Sequence, residues 1–476
     1  MVFSSYGFIF CFLPIVLVIY FSMSKLKNGI YQRIFLVMAS LFFYGYFNVS
    51  YLLIIIASII VNYIIAWLMC VNKEKKSCTK ALLITGVIFN LGLLGYFKYY
   101  DFFISNVNAA FDLDFSVKNL LLPLGISFFT FQQFSFLISV YKKEEKLEKV
   151  IDYSLFVVFF PQLVAGPIVL YKEMMPQFVN ECNRKLNFDN LAKGAYIFCI
   201  GLFKKLVIAD TVALFANNGF GLDYFNMPTA WVVTLAYTLQ IYFDFSGYSD
   251  MAIGLGKMFN IDIPVNFNSP YISESINTFW RRWHITLGRA LSTYVYIPLG
   301  GNRKGKNRTY LNLFVTFLAS GIWHGAAWTF VIWGALNGVF VVVERIFDKF
   351  ISKIPKFIRI ATTFLIVNFL WVLFRADSFA QAMNIYKGMF NFSNLSLSQI
   401  PSLCSDGIVD LPSKIALLYI IGIILLLLAV VFFTKNATKR LKEFEPTAKS
   451  MIFTVVLFVI SVIHLSKLSV FIYFNF

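Results

Sequence analysis

Long apolar segments recur along the whole chain and leave few possible folds. The first runs from Phe8 to Met23, and similar runs follow at about 34–48, 51–70, 81–97 and 120–140. A helix needs about 20 apolar residues to cross the roughly 30 Å hydrocarbon core of a bilayer. Only helices and closed barrels satisfy their backbone hydrogen bonds in lipid, and no strand pattern accompanies these runs. The sequence therefore predicts an all-α polytopic membrane protein.

Composition and charge agree with this prediction and argue against nucleic-acid binding and a metal site. Of 476 residues, 59% are hydrophobic, 19% are aromatic and 14% are charged. The net charge of +17 comes from basic residues in short loops between the apolar runs. Such loops mark the cytosolic face of a membrane protein, so nucleic-acid binding is not expected. The six cysteines show no Cys-x-x-Cys pair or metal-ligand spacing, and no metal site is predicted.

The distribution of basic loops also predicts orientation. Basic clusters follow the first and third runs, and the loop KNATKRLK (435–442) precedes the last apolar run. Basic loops stay in the cytosol. Both the N-terminus and the C-terminus are therefore predicted to lie outside.

Two segments depart from plain spans. Residues 150–180 contain Pro161, Gly166, Pro167 and Pro176, which predicts a broken or re-entrant backbone that protein or water must satisfy. The apolar run from Tyr310 to Val343 has basic clusters at both ends and is too long for one span.

Basic residues at both ends of that run imply that the chain enters the membrane and returns. The break is predicted near Gly321–Gly325, which places His324 at membrane depth.

The chain has three histidines, and two of them are candidates for chemistry. His324 has small neighbours and a predicted place within the membrane, where an ionisable residue is a functional candidate; the alternative is a satisfied core histidine. His284 lies in WRRWHITLG, where an interfacial anchor is the alternative. His464 is interpreted as structural. A buried neutral imidazole can deprotonate a hydroxyl that attacks an acyl donor, although a proton-coupled transporter remains open.

Charged residues also occur inside two predicted spans. Lys204 and Lys205 lie in the span at 190–217, and Asp244 and Asp250 lie in the next, at 228–257. The two aspartates either line a cavity or form packing contacts between helices.

Seven stretches together resemble the membrane-bound O-acyltransferase family, in particular its bacterial branch of alginate-type polysaccharide O-acetyltransferases. The sequence departs from that branch at Gly288-Arg289-Ala290, where a more polar pattern is usual. The matching stretches are LPLGISFFTFQ (122–132), FFPQLVAGPI (159–168), QIYFDFSGYSDMAIGLG (240–256), NFNSPYISESINTFWRRWHITL (266–287), YIPLGGNR (296–303), SGIWHGAAWTFVIWGALNG (320–338) and WVLFRADS (371–378).

The resemblance implies a fold and a domain plan. About 10–12 transmembrane helices, with re-entrant and amphipathic segments, would surround a central tunnel. The chain would form one integral-membrane domain over residues 1–476, with N-terminal spans at 1–140, a catalytic core at 150–346 and C-terminal spans at 358–476. The location expected is the plasma membrane.

The resemblance also implies site residues. His324 takes the position of the catalytic histidine, and His284 takes a second position that is often Asn or His. Candidates to hold the phosphates of the donor are Arg281, Arg282 and Arg303. The candidates to line the cavity are Asp244, Asp250, Ser320, Trp323 and Asn337.

The implied reaction is acetyl transfer from acetyl-CoA, or from a carrier-protein thioester, across the membrane. No bound cofactor is expected. The acceptor would be an extracellular or cell-envelope polysaccharide, reached through an extracellular partner of the SGNH esterase type. The main alternative is D-alanyl transfer to teichoic acid; a lipid or protein acyltransferase and a transporter are further alternatives.

Tyr473 in the terminal FIYFNF segment is a candidate acyl relay. The segment resembles the aromatic C-terminus of the small partner peptide in teichoic acid D-alanylation systems. A phenyl ester is a more activated acyl donor than an alkyl ester, because phenolate, with a pKa of about 10, leaves more easily. The alternative is an aromatic anchor at the membrane interface.

Replacing Tyr473 with Phe separates these two roles. The variant keeps the anchoring ring and removes the hydroxyl, so under the relay hypothesis we expect acetylation of the acceptor polymer to be lost. Polymer acetyl content is measured in cells that contain equal amounts of either protein. Wild-type acetylation by Tyr473→Phe would leave only the anchor.

Overall fold

The regular structure of the chain is helical. The computed structural model describes residues 1–405 and 412–466, and within these ranges it contains no strand. The predicted all-α class is therefore confirmed, whereas Tyr473 lies outside the described residues. Among the described residues, six helical segments are long and apolar enough to cross a membrane: Gly7–Lys25, Val49–Val71, Lys76–Phe111, Trp328–Ile346, Lys356–Arg375 and Ser413–Phe433.

Three further apolar helices are shorter: Ile30–Gly45, Ile126–Tyr141 and Ala448–Ile463. The larger number of spans expected from the family resemblance stays a prediction, as does the division of the domain.

The N-terminal helices lie close to the predicted runs. The helical structure extends beyond the run at 81–97, because the fourth helix continues through a π-helical turn, Gly95–Tyr99, into another helix. Asp101 lies in the first turn of that helix and accepts a hydrogen bond from the Lys118 backbone N–H (2.7 Å). The helices are α1 (Leu13–Ser22), α2 (Ile30–Gly45), α3 (Val49–Val71), α4 (Lys76–Leu94), α5 (Tyr100–Phe111) and α6 (Ile126–Tyr141).

The backbone between residues 150 and 180 is broken, as predicted. It forms α7 (Val150–Val158), α8 (Phe160–Leu163) and α9 (Tyr171–Val179). Hydroxyl groups from distant segments bind two backbone N–H groups of this segment: Ser40 Oγ accepts from Phe160 N (3.2 Å), and Thr286 Oγ1 accepts from Ile168 N (2.9 Å). Protein therefore satisfies the irregular backbone, which is the condition for such structure within a membrane.

Three longer helices form the centre of the molecule: α10 (Phe188–Phe203), α11 (Asp210–Phe220) and α12 (Met227–Met258). Glycines bring α10 and α12 into backbone contact at two levels, because Gly194 faces Gly254 and Gly201 faces Gly247. A Cβ at Gly201 would lie 2.5 Å from the Gly247 carbonyl oxygen. Such close packing by small residues is typical of helices in membranes.

The run from Tyr310 to Val343 forms the predicted hairpin. Its arms are α15 (Lys306–His324) and α16 (Trp328–Ile346), and they follow the short helices α13 (Ile276–Trp280) and α14 (Ile285–Leu291). Residues 325–327, here called the hairpin tip, are non-helical. A Cβ at Gly334 would lie 2.6 Å from the Phe317 carbonyl oxygen, so the two arms touch along their backbones.

The C-terminal part contains one helix that the apolar runs did not indicate. It covers Phe379–Met389, Ser378 caps it, and its Ala382 and Ile385 are buried. The helices here are α17 (Asp348–Ile351), α18 (Lys356–Arg375), α19 (Phe379–Met389), α20 (Ser413–Phe433), α21 (Ala437–Lys442) and α22 (Ala448–Ile463).

Gly201→Ala tests the contact between α10 and α12. The added methyl group collides with the Gly247 carbonyl, so we expect the free energy of unfolding to fall by about 1–3 kcal/mol. Gly422→Ala in α20 is the control, because a Cβ there meets nothing within 4 Å. Thermal unfolding in detergent compares the two variants. Equal melting temperatures would show that α10 and α12 accommodate the added methyl group without a loss of stability.

Candidate active site

His324 is the last residue of α15, immediately before the hairpin tip. Gly325 follows in an extended conformation (φ −161°), which ends the helix. The imidazole is buried among aromatic rings: the ring centroids of Trp333 and Phe374 lie 5.3 Å and 5.2 Å from that of His324. The hairpin thus holds this histidine inside the molecule at the point where the chain turns.

His284 meets His324 although the two are far apart in sequence. Their ring centroids are 6.5 Å apart, and both side chains are buried. His284 precedes α14 with φ 47° and ψ 51°, the left-handed region that few non-glycine residues adopt. Phe245 of α12 packs edge-on against its ring, with the centroids 4.8 Å apart. The two histidines predicted for chemistry therefore share one site.

Asn266 binds the His284 segment through its own side-chain and backbone oxygens. Asn266 Oδ1 accepts hydrogen bonds from His284 Nδ1 (3.2 Å), Thr286 N (3.2 Å) and Thr286 Oγ1 (2.9 Å). The Asn266 carbonyl accepts from Ile285 N (3.0 Å). An amide oxygen can only accept, so Nδ1 carries the proton and Nε2 is unprotonated in the neutral ring. Asn266 thus selects one tautomer of His284.

The amphipathic segment before His284 is tied to the second arm of the hairpin. Trp280 Nε1 donates to Asn337 Oδ1 (3.1 Å), and Asn337 Nδ2 donates to the Trp333 carbonyl (2.8 Å). Glu344 accepts from the Asn277 backbone N–H (3.0 Å) at the start of α13. These bonds hold α13 against α16.

A cavity of about 1510 Å³ lies between the α13–α14 segment and the hairpin. Its lining changes from exposed basic residues, such as Arg281, Lys306 and Lys349, to buried residues, including His284 and Ser320. Ser320 lies one turn before His324 on α15. The basic lining residues are Arg281, Arg282, Arg289, Lys306, Arg345, Lys349 and Arg359; the acidic ones are Glu274, Glu344 and Asp348.

Glu274 at this cavity is paired with basic side chains. Lys356 Nζ and an Arg359 guanidinium nitrogen lie 3.0 Å and 2.7 Å from its carboxylate oxygens. The hydrogen bond from Lys356, with the charge of Arg359, holds the pKa of Glu274 below its usual value. Glu274 thus stays negatively charged, but the seven basic side chains of the lining outnumber its three acidic ones, so the cavity keeps a positive excess.

The other predicted residues are placed as follows. Arg281 and Arg282 line the cavity, whereas the exposed Arg303 does not. Trp323 packs beside both histidines, and Asn337 accepts a hydrogen bond from Trp280; neither residue lines the cavity.

Asp244 and Asp250 also lie outside the lining and instead form ion pairs between helices. Asp250 pairs with Lys204 (2.6 Å) and Asp244 with Lys205 (2.9 Å). These contacts match the packing alternative that the sequence left open.

Two residues near the histidines had no predicted role. Asn266 lies in the NFNSP stretch, and its contact with His284 required the tertiary structure. Lys98 Nζ donates to the carbonyls of Trp323 (2.7 Å) and His324 (2.9 Å). A signal for it was present, because a lysine within the apolar segment GYFKYY is costly unless it has partners.

Comparison with known proteins identifies the family. Residues 9–379 match the sequence model of MBOAT, the membrane-bound O-acyltransferase family. The chain belongs to this family. It is therefore an acyltransferase and a multi-pass membrane protein, as the sequence predicted.

Relatives within the family differ in their acyl group and acceptor. A peptidoglycan O-acetyltransferase of Helicobacter pylori is 44% identical over 438 residues, covering 85% of this chain and 83% of that protein. A probable alginate O-acetylase of Pseudomonas syringae pv. tomato is 42% identical over 408 residues, covering 84% and 77%. A teichoic acid D-alanyltransferase of Bacillus subtilis is 28% identical over 247 residues, covering 49% and 62%.

Asn266→Ala tests the network around His284. The change leaves three buried donors without their acceptor, and each costs about 1–3 kcal/mol. We expect a clear fall in the thermal unfolding temperature in detergent. Asn268→Ala is the control, because the Asn268 side chain accepts one exposed hydrogen bond, from Asn436 (2.9 Å). If both variants unfold at the same temperature, the Asn266 side chain does not stabilise the site.

Proposed function

We propose that this acyltransferase passes an acetyl group from a cytosolic thioester to an extracellular or cell-envelope polysaccharide. The observation that carries the proposal is the cavity that leads from a basic, exposed end to the buried His284, whose ring lies 6.5 Å from that of His324. The two relatives above 40% identity are named for O-acetylation of peptidoglycan and of alginate, which supports acetyl as the acyl group.

The donor would bind at the basic end of the cavity. Acetyl-CoA carries phosphate groups, and arginine binds phosphate through paired N–H donors. Arg281 and Arg282 line the cavity and are proposed to hold these groups. Arg303 would act only on donor groups that extend beyond the cavity. A carrier-protein thioester, the other donor considered, presents a phosphate on its prosthetic arm to the same residues.

In the proposed reaction His324 acts as the general base. Its imidazole takes the proton of an acceptor hydroxyl while the hydroxyl oxygen attacks the thioester carbonyl carbon. The carbon–sulfur bond of the tetrahedral intermediate then breaks, and the thiolate takes the proton from the imidazolium. Backbone, Trp or Asn N–H groups near the carbonyl would stabilise the oxyanion. The products are an acetyl ester and a free thiol, and the histidine returns to its neutral form.

The direction of transfer follows from the predicted orientation. The basic residues at the exposed end of the cavity favour a cytosolic position for that end, because positively charged loops remain inside. With both chain ends outside, the acceptor would be met on the outer face of the plasma membrane. An SGNH-type partner would carry the acetyl group from there to the polysaccharide, and Tyr473 is proposed as the relay between the two proteins.

D-alanyl transfer to teichoic acid is the second candidate. It rests on the similarity to the Bacillus subtilis teichoic acid D-alanyltransferase, which covers about half of this chain at 28% identity. Supplying isolated membranes with labelled acetyl-CoA or with a D-alanyl carrier protein distinguishes the two.

His324→Ala is the direct test of the mechanism. We expect incorporation of labelled acetyl into polymer to fall at least about 100-fold, because the variant has no base at the transfer site. His284→Ala is expected to lose less and to need more donor for half-maximal rate. The assay uses inverted membrane vesicles from cells that make the acceptor polymer, supplied with radiolabelled acetyl-CoA.

His464→Ala is the matched control, since His464 follows α22 and its Nδ1 lies 2.8 Å from the carbonyl oxygen of Ile460 in that helix. It should incorporate label at the wild-type rate. Full incorporation by a well-expressed His324→Ala variant would exclude His324 as the base.

A further inference from the structure

A half-buried lysine binds the end of the helix that carries His324. Lys98 lies in the π-helical turn between α4 and α5, and its Nζ contacts the carbonyl oxygens of Trp323 (2.7 Å) and His324 (2.9 Å). The last carbonyls of a helix have no intrahelical partner, and together they carry partial negative charge. The lysine thus supplies hydrogen-bond donors and positive charge to the C-terminal carbonyls of α15.

The ammonium group is fully engaged in these contacts. Its third partner is Ser127 Oγ (3.4 Å), and the Trp323 ring centroid lies 5.8 Å from Nζ. An ammonium has three N–H donors, and here all three partners are oxygens of the protein. Lysines near membrane interfaces ordinarily extend toward water, yet this one points into the protein. A direct hydrogen bond to substrate is therefore not the role that this geometry gives Lys98.

Neighbouring residues show that α4 and α5 support both sides of the hairpin tip. The Tyr99 hydroxyl donates to the Ile322 carbonyl (2.5 Å), and Trp328 Nε1 donates to Asn106 Oδ1 (2.8 Å). Lys98 differs from Tyr99 in binding the carbonyl of His324 itself. Movement of Lys98 would therefore move the backbone from which the imidazole projects.

We propose that Lys98 is a positioning residue for acyl transfer. By binding the carbonyls of Trp323 and His324, it fixes the last turn of α15 and so the direction in which the imidazole meets the acceptor hydroxyl. This inference rests on the proposed role of His324 as the base. Donor binding takes place elsewhere, on the α13–α14 segment and the basic end of the cavity, so Lys98 acts on the rate of transfer rather than on donor affinity.

Lys98→Met is the test, because methionine keeps much of the side-chain length and removes the charge and all donors. A misplacement of about 1 Å at a reacting group costs up to about 100-fold in rate. We expect kcat per folded protein to fall at least about tenfold and KM for acetyl-CoA to stay within about twofold, in the vesicle assay with radiolabelled acetyl-CoA. Hydrogen exchange of the amides in 320–327 should become faster.

Two variants control for the loss of a lysine and for the loss of a neighbouring cap. Lys118→Met removes a lysine that lies over the rings of Tyr96 and Tyr100 (5.0 Å and 4.8 Å), and it should leave kcat unchanged. Tyr99→Phe removes the bond to Ile322 but keeps the ammonium, so its kcat should stay closer to wild type than that of Lys98→Met. If Lys98→Met does not accumulate, Lys98→Gln, which retains N–H donors, is measured in the same way.

The outcomes separate this inference from the proposed function. Wild-type kcat in Lys98→Met, together with an inactive His324→Ala, overturns the role of Lys98 alone. A change confined to thermal stability or to KM also overturns it, because a positioning residue must alter kcat. Wild-type activity in His324→Ala instead excludes His324 as the base, and the positioning role of Lys98 with it.

Discussion

Backbone groups that lack a helical partner must find one within the protein wherever the chain lies at membrane depth. This requirement determines how the site is built. Around the broken segment at 150–180, the hydroxyls of Ser40 and Thr286 accept the free N–H groups. At the C-terminal end of α15, Lys98 and Tyr99 donate to the carbonyls of the last helical residues. The irregular backbone around the candidate site is thus held by polar side chains from other parts of the chain.

Two pairs of helices that pack closely through glycines support the site. One is α10 with α12, and the other is α15 with α16. In the first pair the charges of Lys204 and Asp250 neutralise each other inside the protein. That pair reaches the site through Phe245, which packs on His284, while the second pair carries His324. The distance between the two histidines therefore depends on how the two pairs pack together.

The sequence predicted the parts of this fold that local patterns encode. Apolar length and basic flanks indicated most helices and the hairpin break beside His324, because both are properties of continuous segments. Long-range pairing was beyond such patterns: nothing local showed that Asn266 would bind His284, or that Asp244 and Asp250 would pair with lysines. The α19 helix was missed because its amphipathic run is short and partly polar. Arg303 was predicted to hold donor phosphates, and no local pattern showed that it lies outside the cavity lining.

The backbone at His284 limits which residues that position can accept. Its left-handed conformation, with φ 47°, disfavours branched and bulky side chains, whereas Asn, Asp and His adopt it several times more often than other non-glycine residues. Among these, Asn and His also offer an N–H that can reach the Asn266 amide oxygen. The family resemblance implies Asn or His at this position, and the backbone geometry by itself favours both. A residue that replaces His284 must therefore first be able to adopt this positive φ angle.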